Sequence, residues 1–498
     1  MTTPSNTTPS EGAGARPALV DRLAARLPKE GRVLVLEQAD APPLALGGAI
    51  ERRTLRGAAG EIHCGELEPG AWHAIVLAGR RPAAGWQPLL TELRSALAER
   101  GRLVLVVPID GGTPDEVVSD LVGALFETGH CVVHEEVDGG SGNVAVAPAT
   151  PTPPAGRAAL VEARADDYLV RPYRDGDAAV ILRLFDASFS PPRDPVHWSW
   201  KYRDNPFGTL AISVALARSG ELVAHYAAYP VRFRRARRGG ASESLLCHQV
   251  GDTMTDRRHR DVGRGRTSLL ARTARHFYAR RCAGKVAWNY GFNTGNIQRF
   301  SELFVGARKV WDVEVRRCLS SELRLAAPRF FRPYRASLAD RIDGAFDDLF
   351  ERVAPEYGLL VERRRAYLEW RYLRCPDRDF HLIRVDAGSR LVGWGVFRAD
   401  GDRLLWGDAL VDPAHAGAVS ALLRRALAIE AGGQGRDRSV EGWFSRHPAW
   451  WNELLSTLGF VAATEPQGLG MVYVPFLEDP LTELQTGYYL TMGDGDLF

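Results

Sequence analysis

Lysine is nearly missing from this chain: of 63 basic residues, only Lys29, Lys201, Lys285 and Lys309 are lysines. The arginines accompany a heavy Ala and Gly load, so a basic residue alone does not mark a phosphate-binding surface. A net charge of +2 gives no electrostatic case for nucleic acid or for a membrane surface. Paired cysteines are lacking too. Cys64, Cys131, Cys247, Cys282, Cys318 and Cys375 show neither C-x-x-C nor zinc spacing, which excludes a disulfide scaffold and leaves no metal site to expect. They read as buried thiols in a reducing compartment. No run of 18 apolar residues occurs, and MTTPSNTTPSEGAGARP has no apolar leader core. The expectation is a cytoplasmic protein without a membrane span.

What is present suits an α/β protein of about three domains. Residues 1–16 read as a disordered start. An α/β region at 17–147 follows, then a Pro-rich linker at 148–165 with PATPTPPAG at its head, and two further α/β units at 166–325 and 326–498. In the first region RVLVLE, HAIVLAG and RLVLVVP are short apolar runs of buried-strand type. A helix carries Leu89, Leu90, Leu93 and Leu97 on one face, and a second starts at Thr113 and Pro114. HCVVHEEVDGGSGNVAVAP reads as a closing hairpin.

That ending, with WQPLLTELRSALAERGRLVLVVP, resembles the second half of a class I SAM-dependent methyltransferase and implies a Rossmann-like sheet. EQADAPP stands where the family has a Gly-rich turn, so the region is expected to be a degenerate scaffold or protein-partner module.

The stretch GDTMTDRRHRDVGRGRTSLLARTARHFY organises the rest. A strand enters it, a basic turn with Arg260, Gly263 and Gly265 follows, and a helix pattern leaves through Leu269, Leu270, Ala274 and Phe277. Glycines and a helix N-terminus together make an anion-binding turn. The order strand, R-x-x-G-x-G, helix, strand KVAWNYGF and short helix NTGNIQRFSELFVGA resembles the acetyl-CoA-binding core of the GNAT N-acyltransferase superfamily. The resemblance implies acetyl-CoA, or another acyl-CoA, held by backbone at Thr253, Met254 and Thr255 and by the turn Arg260, Val262, Gly263, Arg264, Gly265 and Arg266. Asn293 and Asn296 would meet the pantetheine arm or cap the short helix.

Acyl transfer to an amine needs a proton acceptor and an acid for the thiolate. His248 and Asp252 lie four apart on one strand and are expected on one face. Tyr290 stands in for the tyrosine that the family carries near Phe300 or Ser301.

An internal repeat sets Trp200 on Trp370, Tyr202 on Tyr372, and GDTMTDRRH on GDALVDPAH. The second copy lacks R-x-x-G-x-G after His415, so it is expected to buttress the first and shape an acceptor cleft. TGYYLTMGDGDLF reads as a solvated acidic tail, with the terminal carboxylate on Phe498 reaching the active site, as the GNAT resemblance allows, as the alternative. Three functions compete: a small-molecule N-acyltransferase, a Fem-like aminoacyl transferase and a non-catalytic scaffold.

Overall fold

The computed structural model describes residues 23–29, 32–38, 46, 50–55, 67–109, 114–137, 158–237, 242–326, 334–430 and 437–498. The start at 1–16, the helix start at Thr113, PATPTPPAG and the second half of the expected hairpin lie outside them. The architecture is mixed α/β with three sheets, and the chain forms two compact units. Among the described residues no helix is long and apolar enough to cross a membrane.

The first unit holds one six-stranded sheet. β1 (Val33–Gln38) lies between β2 (Ile50–Leu55) and β3 (Trp72–Ala78), and β4 (Leu97–Pro108) follows β3, all in parallel. Helix α1 (Gln87–Ala96) buries Leu89, Leu90, Leu93 and Ala96 on one stripe. β6 (Ala158–Ala165) pairs antiparallel with β4 and separates it from β5 (His130–Val137). The linker assignment of 148–165 is therefore corrected at its end. AALV carries enough apolar side chain to be drawn into the sheet, and Leu160 and Val161 are fully buried.

The second unit takes in α2 (Pro114–Glu127) and everything from Asp166 onward. Its first sheet runs through β7 (Tyr168–Pro172), β8 (Ile212–Ala217), β9 (Leu222–Ala236) and β10 (Ser242–Thr255) with antiparallel neighbours, then through β11 (Trp288–Asn293) parallel to β10. At its edge lies β12 (Arg308–Asp312). The strand between β11 and β12 is β21 (Gly470–Pro475), antiparallel to both. The second sheet has the same plan. β14 (Arg335–Leu338), β16 (His381–Ala387), β17 (Arg390–Asp400) and β18 (Arg403–Val411) alternate, and β19 (Ser439–Trp443) is parallel to β18. Its next strand is β13 (Glu314–Leu319), which separates β19 from β20 (Val461–Thr464). A short β15 (Leu359–Val361) adds to β9.

The first sheet thus takes β21 and the short β15 from the second half of the sequence, and the second sheet takes β13 from the first half. The exchange crosses the boundary expected at 325/326 in both directions. One buried apolar cluster accordingly runs from Phe233 and Trp288 to Trp394, Trp406 and Trp451.

The halves also meet through the residues that the sequence repeat equates. Trp200 lies in the last turn of α4 (Pro195–Tyr202) and stacks on Trp370 with ring centroids 5.1 Å apart. Each indole N–H donates to the other residue's carbonyl, at 2.6 and 2.8 Å. Buried indoles need such acceptors, and here one pair supplies both. The TGYYLTMGDGDLF segment, expected in solvent, is interior: Tyr489, Thr491 and Asp494 are buried, and Phe498 packs against Tyr372 and Phe380. Its aromatic content and the Arg371 side chain, which donates to the carbonyls of Gly493, Gly495 and Phe498, outweigh its acidity.

Trp200→Ala and Trp370→Ala should each cost about 3–5 kcal/mol, and the double variant clearly less than their sum, because either change removes the whole reciprocal contact. Denaturant unfolding of the four chains measures this; additive losses would show that the indoles act independently.

Candidate active site

The parallel strands β10 and β11 pair only at His248↔Asn289 and Gln249↔Tyr290, and then part. On its other side β10 slips against β9: Gly251 pairs with Ala227 and Met254 with His225, which leaves Asp252 and Thr253 outside the ladder. Asp252 sits there at φ +52°. A non-Gly residue holds that conformation only when its surroundings over-determine it. They do so here. The Asp252 carboxylate accepts from Arg193 at 2.9 Å, Lys201 at 3.1 Å and Tyr202 at 2.8 Å, and its carbonyl accepts from His225 Nδ1 at 2.7 Å.

Burial would raise the Asp252 pKa, but the Lys201 and Arg193 charges and the Tyr202 bond hold it well below the usual carboxylate range. Burial lowers His225 to about 4, so its imidazole is neutral near pH 7. Lys201 is itself buried and bridges to Asp496 at 3.0 Å. A Cβ on Gly251 would meet the Asp496 carboxylate and the Lys201 amine, so a larger residue would have to displace that ion pair.

Beyond the bulge comes the basic turn. Arg260 Nε donates to the Thr255 carbonyl at 3.2 Å and ties the turn to the end of β10. Gly263, at φ +71°, leaves no room for a Cβ against the Thr267 carbonyl, and Gly265, at φ +57°, packs on Phe304. The Val262 carbonyl accepts from Leu269 N, while Arg264 and Thr267 bond each other through backbone and hydroxyl. Helix α5 (Leu269–Phe277) then starts on Ser268, whose hydroxyl accepts from Ala271 N. Arg260, Gly263 and Arg264 are exposed, and Arg266 is half-buried. The turn therefore presents arginines and a glycine backbone to solvent at the end of β10.

Where β10 and β11 part lies a cavity of about 30 Å³ lined by Tyr226, Tyr278, Tyr290, Asn293, Ser301 and Val472, the last from the exchanged strand. The Tyr226 and Tyr278 hydroxyls are 2.9 Å apart, and burial raises both phenols.

The expectation that His248 and Asp252 share a face is corrected. His248 points toward α5, with Phe277 at 5.7 Å between rings and Cys282 Sγ at 3.6 Å, and burial lowers it to about 4. Asp252 lies on the opposite side with Lys201, which also reaches Asp496, the partner of Gln249. The bulge at 252–253 breaks the two-residue alternation on which the expectation rested. Tyr290 shares the Gln249 face, and its hydroxyl donates to the Asp494 carbonyl at 3.0 Å. The Met254 side chain is buried with Ile181 and Leu184 of α3 (Asp177–Ser188), whereas Thr253 and Thr255 are half-buried.

Neither asparagine caps α6 (Gly295–Phe304). Thr294 is its N-cap residue, Asn293 donates to Ser301 at 3.3 Å, and Asn296 is exposed. Sequence reasoning missed His225, Lys201, Tyr226, Tyr278 and Asp496. The HWSWKY segment was the one signal available, since Lys201 and Tyr202 both stand in it.

No family model matches the chain, and no curated protein does. Solved structures similar to it include a protein of unknown function from Enterococcus faecalis V583 described as a probable N-acyltransferase. It is 13% identical, with 62% of this chain and 73% of that one covered, at a TM-score of 0.47. A GCN5-related N-acetyltransferase from Kribbella flavida matches at 12% identity, 62% and 70% coverage and a TM-score of 0.43. The N-myristoyltransferase of Saccharomyces cerevisiae with bound myristoyl-CoA matches at 10%, 74% and 87%, and 0.40.

Asp252→Asn should cost about 3–5 kcal/mol near neutral pH, because it leaves Lys201 buried beside one carboxylate instead of two. The depressed pKa means that Asp252 contributes stability above its unfolded value of about 4 and loses it as pH falls further. The gap between wild type and variant in urea unfolding should therefore narrow below about pH 4. A gap constant from pH 7 to pH 3 would contradict the assignment.

Proposed function

We propose that this chain transfers an acyl group from acyl-CoA to an amine, with the cofactor seated where β10 and β11 part. The observation that carries the reading is a conjunction at the carboxyl ends of two central strands. Two parallel strands separate after two pairs, a strained bulge interrupts the strand, and a turn with two left-handed glycines and several arginines follows it. Crevices at the carboxyl ends of parallel strands are where open α/β sheets bind ligands, and a helix N-terminus with glycine backbone suits a pyrophosphate.

In this reading the turn from Arg260 to Thr267 takes the pyrophosphate and the cleft beside Asn293 takes the pantetheine arm, which brings the thioester to the bulge. The amine nitrogen adds to the thioester carbonyl carbon, and the carbonyl electron pair moves to oxygen. It returns as the C–S bond breaks, and the proton lost by nitrogen ends on sulfur. The products are an amide and the free thiol. The Tyr226–Tyr278 hydroxyl pair lines the cavity where the thiolate departs and is the phenolic donor there, since the Tyr290 hydroxyl is on the opposite face, bonded to the Asp494 carbonyl. The acceptor is a small-molecule amine such as an amino sugar or a biosynthetic intermediate, and the first unit's sheet serves as a non-catalytic partner surface. An aminoacyl transferase of Fem type would use a charged RNA groove, and the chain's charge balance offers none.

Calorimetry with acetyl-CoA tests this. Saturable binding is expected for the wild type. It should be lost in Gly263→Ala, where a Cβ meets the Thr267 carbonyl, and be about tenfold weaker in Arg260→Ala. Binding unchanged in both variants would move the cofactor elsewhere, and no binding by the wild type would favour a scaffold.

A further inference from the structure

We infer that His225 is a positioning residue for this transfer, turning the Asp252–Thr253 peptide so that the Thr253 N–H points into the cleft at the thioester oxygen. The inference rests on the acyl-CoA reading and deepens it.

The geometry is local and specific. His225 Nδ1 lies 2.7 Å from the Asp252 carbonyl oxygen. A carbonyl only accepts, so Nδ1 carries the proton and Nε2 holds the lone pair. Among the described residues Nε2 is buried without a partner, so there the carbonyl bond is the one hydrogen bond that the ring makes. A trans peptide sets its C=O and N–H in opposite directions. His225 stands on the Tyr202 face of the sheet, so with the Asp252 carbonyl drawn to that face the Thr253 N–H is directed to the other, where Tyr226 and Tyr278 line the cavity beside β11.

The chain carries its own control. The strand-for-strand match of the two sheets places Trp394 where His225 stands, since Met254 pairs with His225 and Leu410 with Trp394. Both copies keep the tyrosine bond to the aspartate: Tyr202 to Asp252 at 2.8 Å, Tyr372 to Asp408 at 2.6 Å. Yet Asp408 pairs in the ladder with Val396, and among the described residues only Arg100, Leu210 and Asp252 have a left-handed backbone outside glycine. The tyrosine and carboxylate are thus insufficient to turn the peptide. Arg193 and Lys201 also distinguish the turned copy, but they hold its carboxylate; the imidazole is the contact it has on the peptide carbonyl itself and the other copy lacks.

An N–H so placed is useful for one chemistry. When the amine adds to the thioester, the carbonyl oxygen becomes an oxyanion, and a fixed backbone donor stabilises it without reorganising; losing one such donor costs about 10²–10³ in rate.

The test uses the full chain with [¹⁵N]threonine and acetyl-CoA as the probe, alongside calorimetry and thermal melting. The Thr253 amide resonance should shift when acetyl-CoA binds to the wild type. It should fail to shift in His225→Leu although acetyl-CoA still binds. His225→Asn, whose side-chain N–H falls near the Nδ1 position, should restore the shift, and His225→Gln, whose amide reaches further, should not. A shift that persists in a folded, binding-competent His225→Leu overturns the inference alone. So does an Asn variant that behaves as Leu does, which would make the imidazole a packing element. Absence of acetyl-CoA binding by the wild type overturns the underlying reading and the inference with it.

Discussion

Two indoles hold the second unit together. Trp200 and Trp370 occupy matching places in two sheets of the same plan, stack at 5.1 Å and satisfy one another's N–H groups. A contact of that form is self-complementary, as in a two-fold dimer, although both partners belong to one chain. Around it the sheets exchange β13 and β21, and the segment from Tyr488 to Phe498 fills the space between. The candidate cleft depends on this arrangement, because Val472 on β21 forms one of its walls and Asp496 reaches Lys201 beneath the bulge.

The two copies have diverged by small changes with large consequences. Gly251 makes room for Lys201 and Asp496, and Gly407, its counterpart, makes room for the Phe498 ring. One copy put a charged, hydrogen-bonded cluster at that point and the other an aromatic plug. The basic turn exists in the first copy alone. A duplicated scaffold in which one member carries chemistry can let its twin lose polar groups in favour of packing, and a buried aromatic is the more stable filling where no function is served.

Much of this was legible in the sequence. Three of the four parallel strands of the first unit, the helix after Ser268, the left-handed glycines at Gly263 and Gly265 and the pairing of Trp200 with Trp370 follow from apolar runs, turn chemistry and repeat spacing. Strand exchange was not legible, because GMVYVP reads as a buried strand whichever sheet takes it. The opposed directions of His248 and Asp252 were hidden for a different reason: a bulge changes side-chain parity while leaving composition untouched. AALVEARA was misread because it follows a Pro-rich stretch, and its own apolar content was the better guide. His225 left no trace, since its role is a single bond to a backbone atom.

The exchanged strand also sets a schedule for synthesis. β11 and β12 emerge from the ribosome long before β21, which must fill the gap between them, and on the order of 160 residues have to be made first. At about 5–20 residues per second the growing chain carries two unpaired strand edges for roughly 10–30 seconds. Such edges invite wrong pairing. The nascent first copy is thus a natural client for a chaperone at the tunnel exit, and slow codons between β12 and β21 would lengthen its exposure.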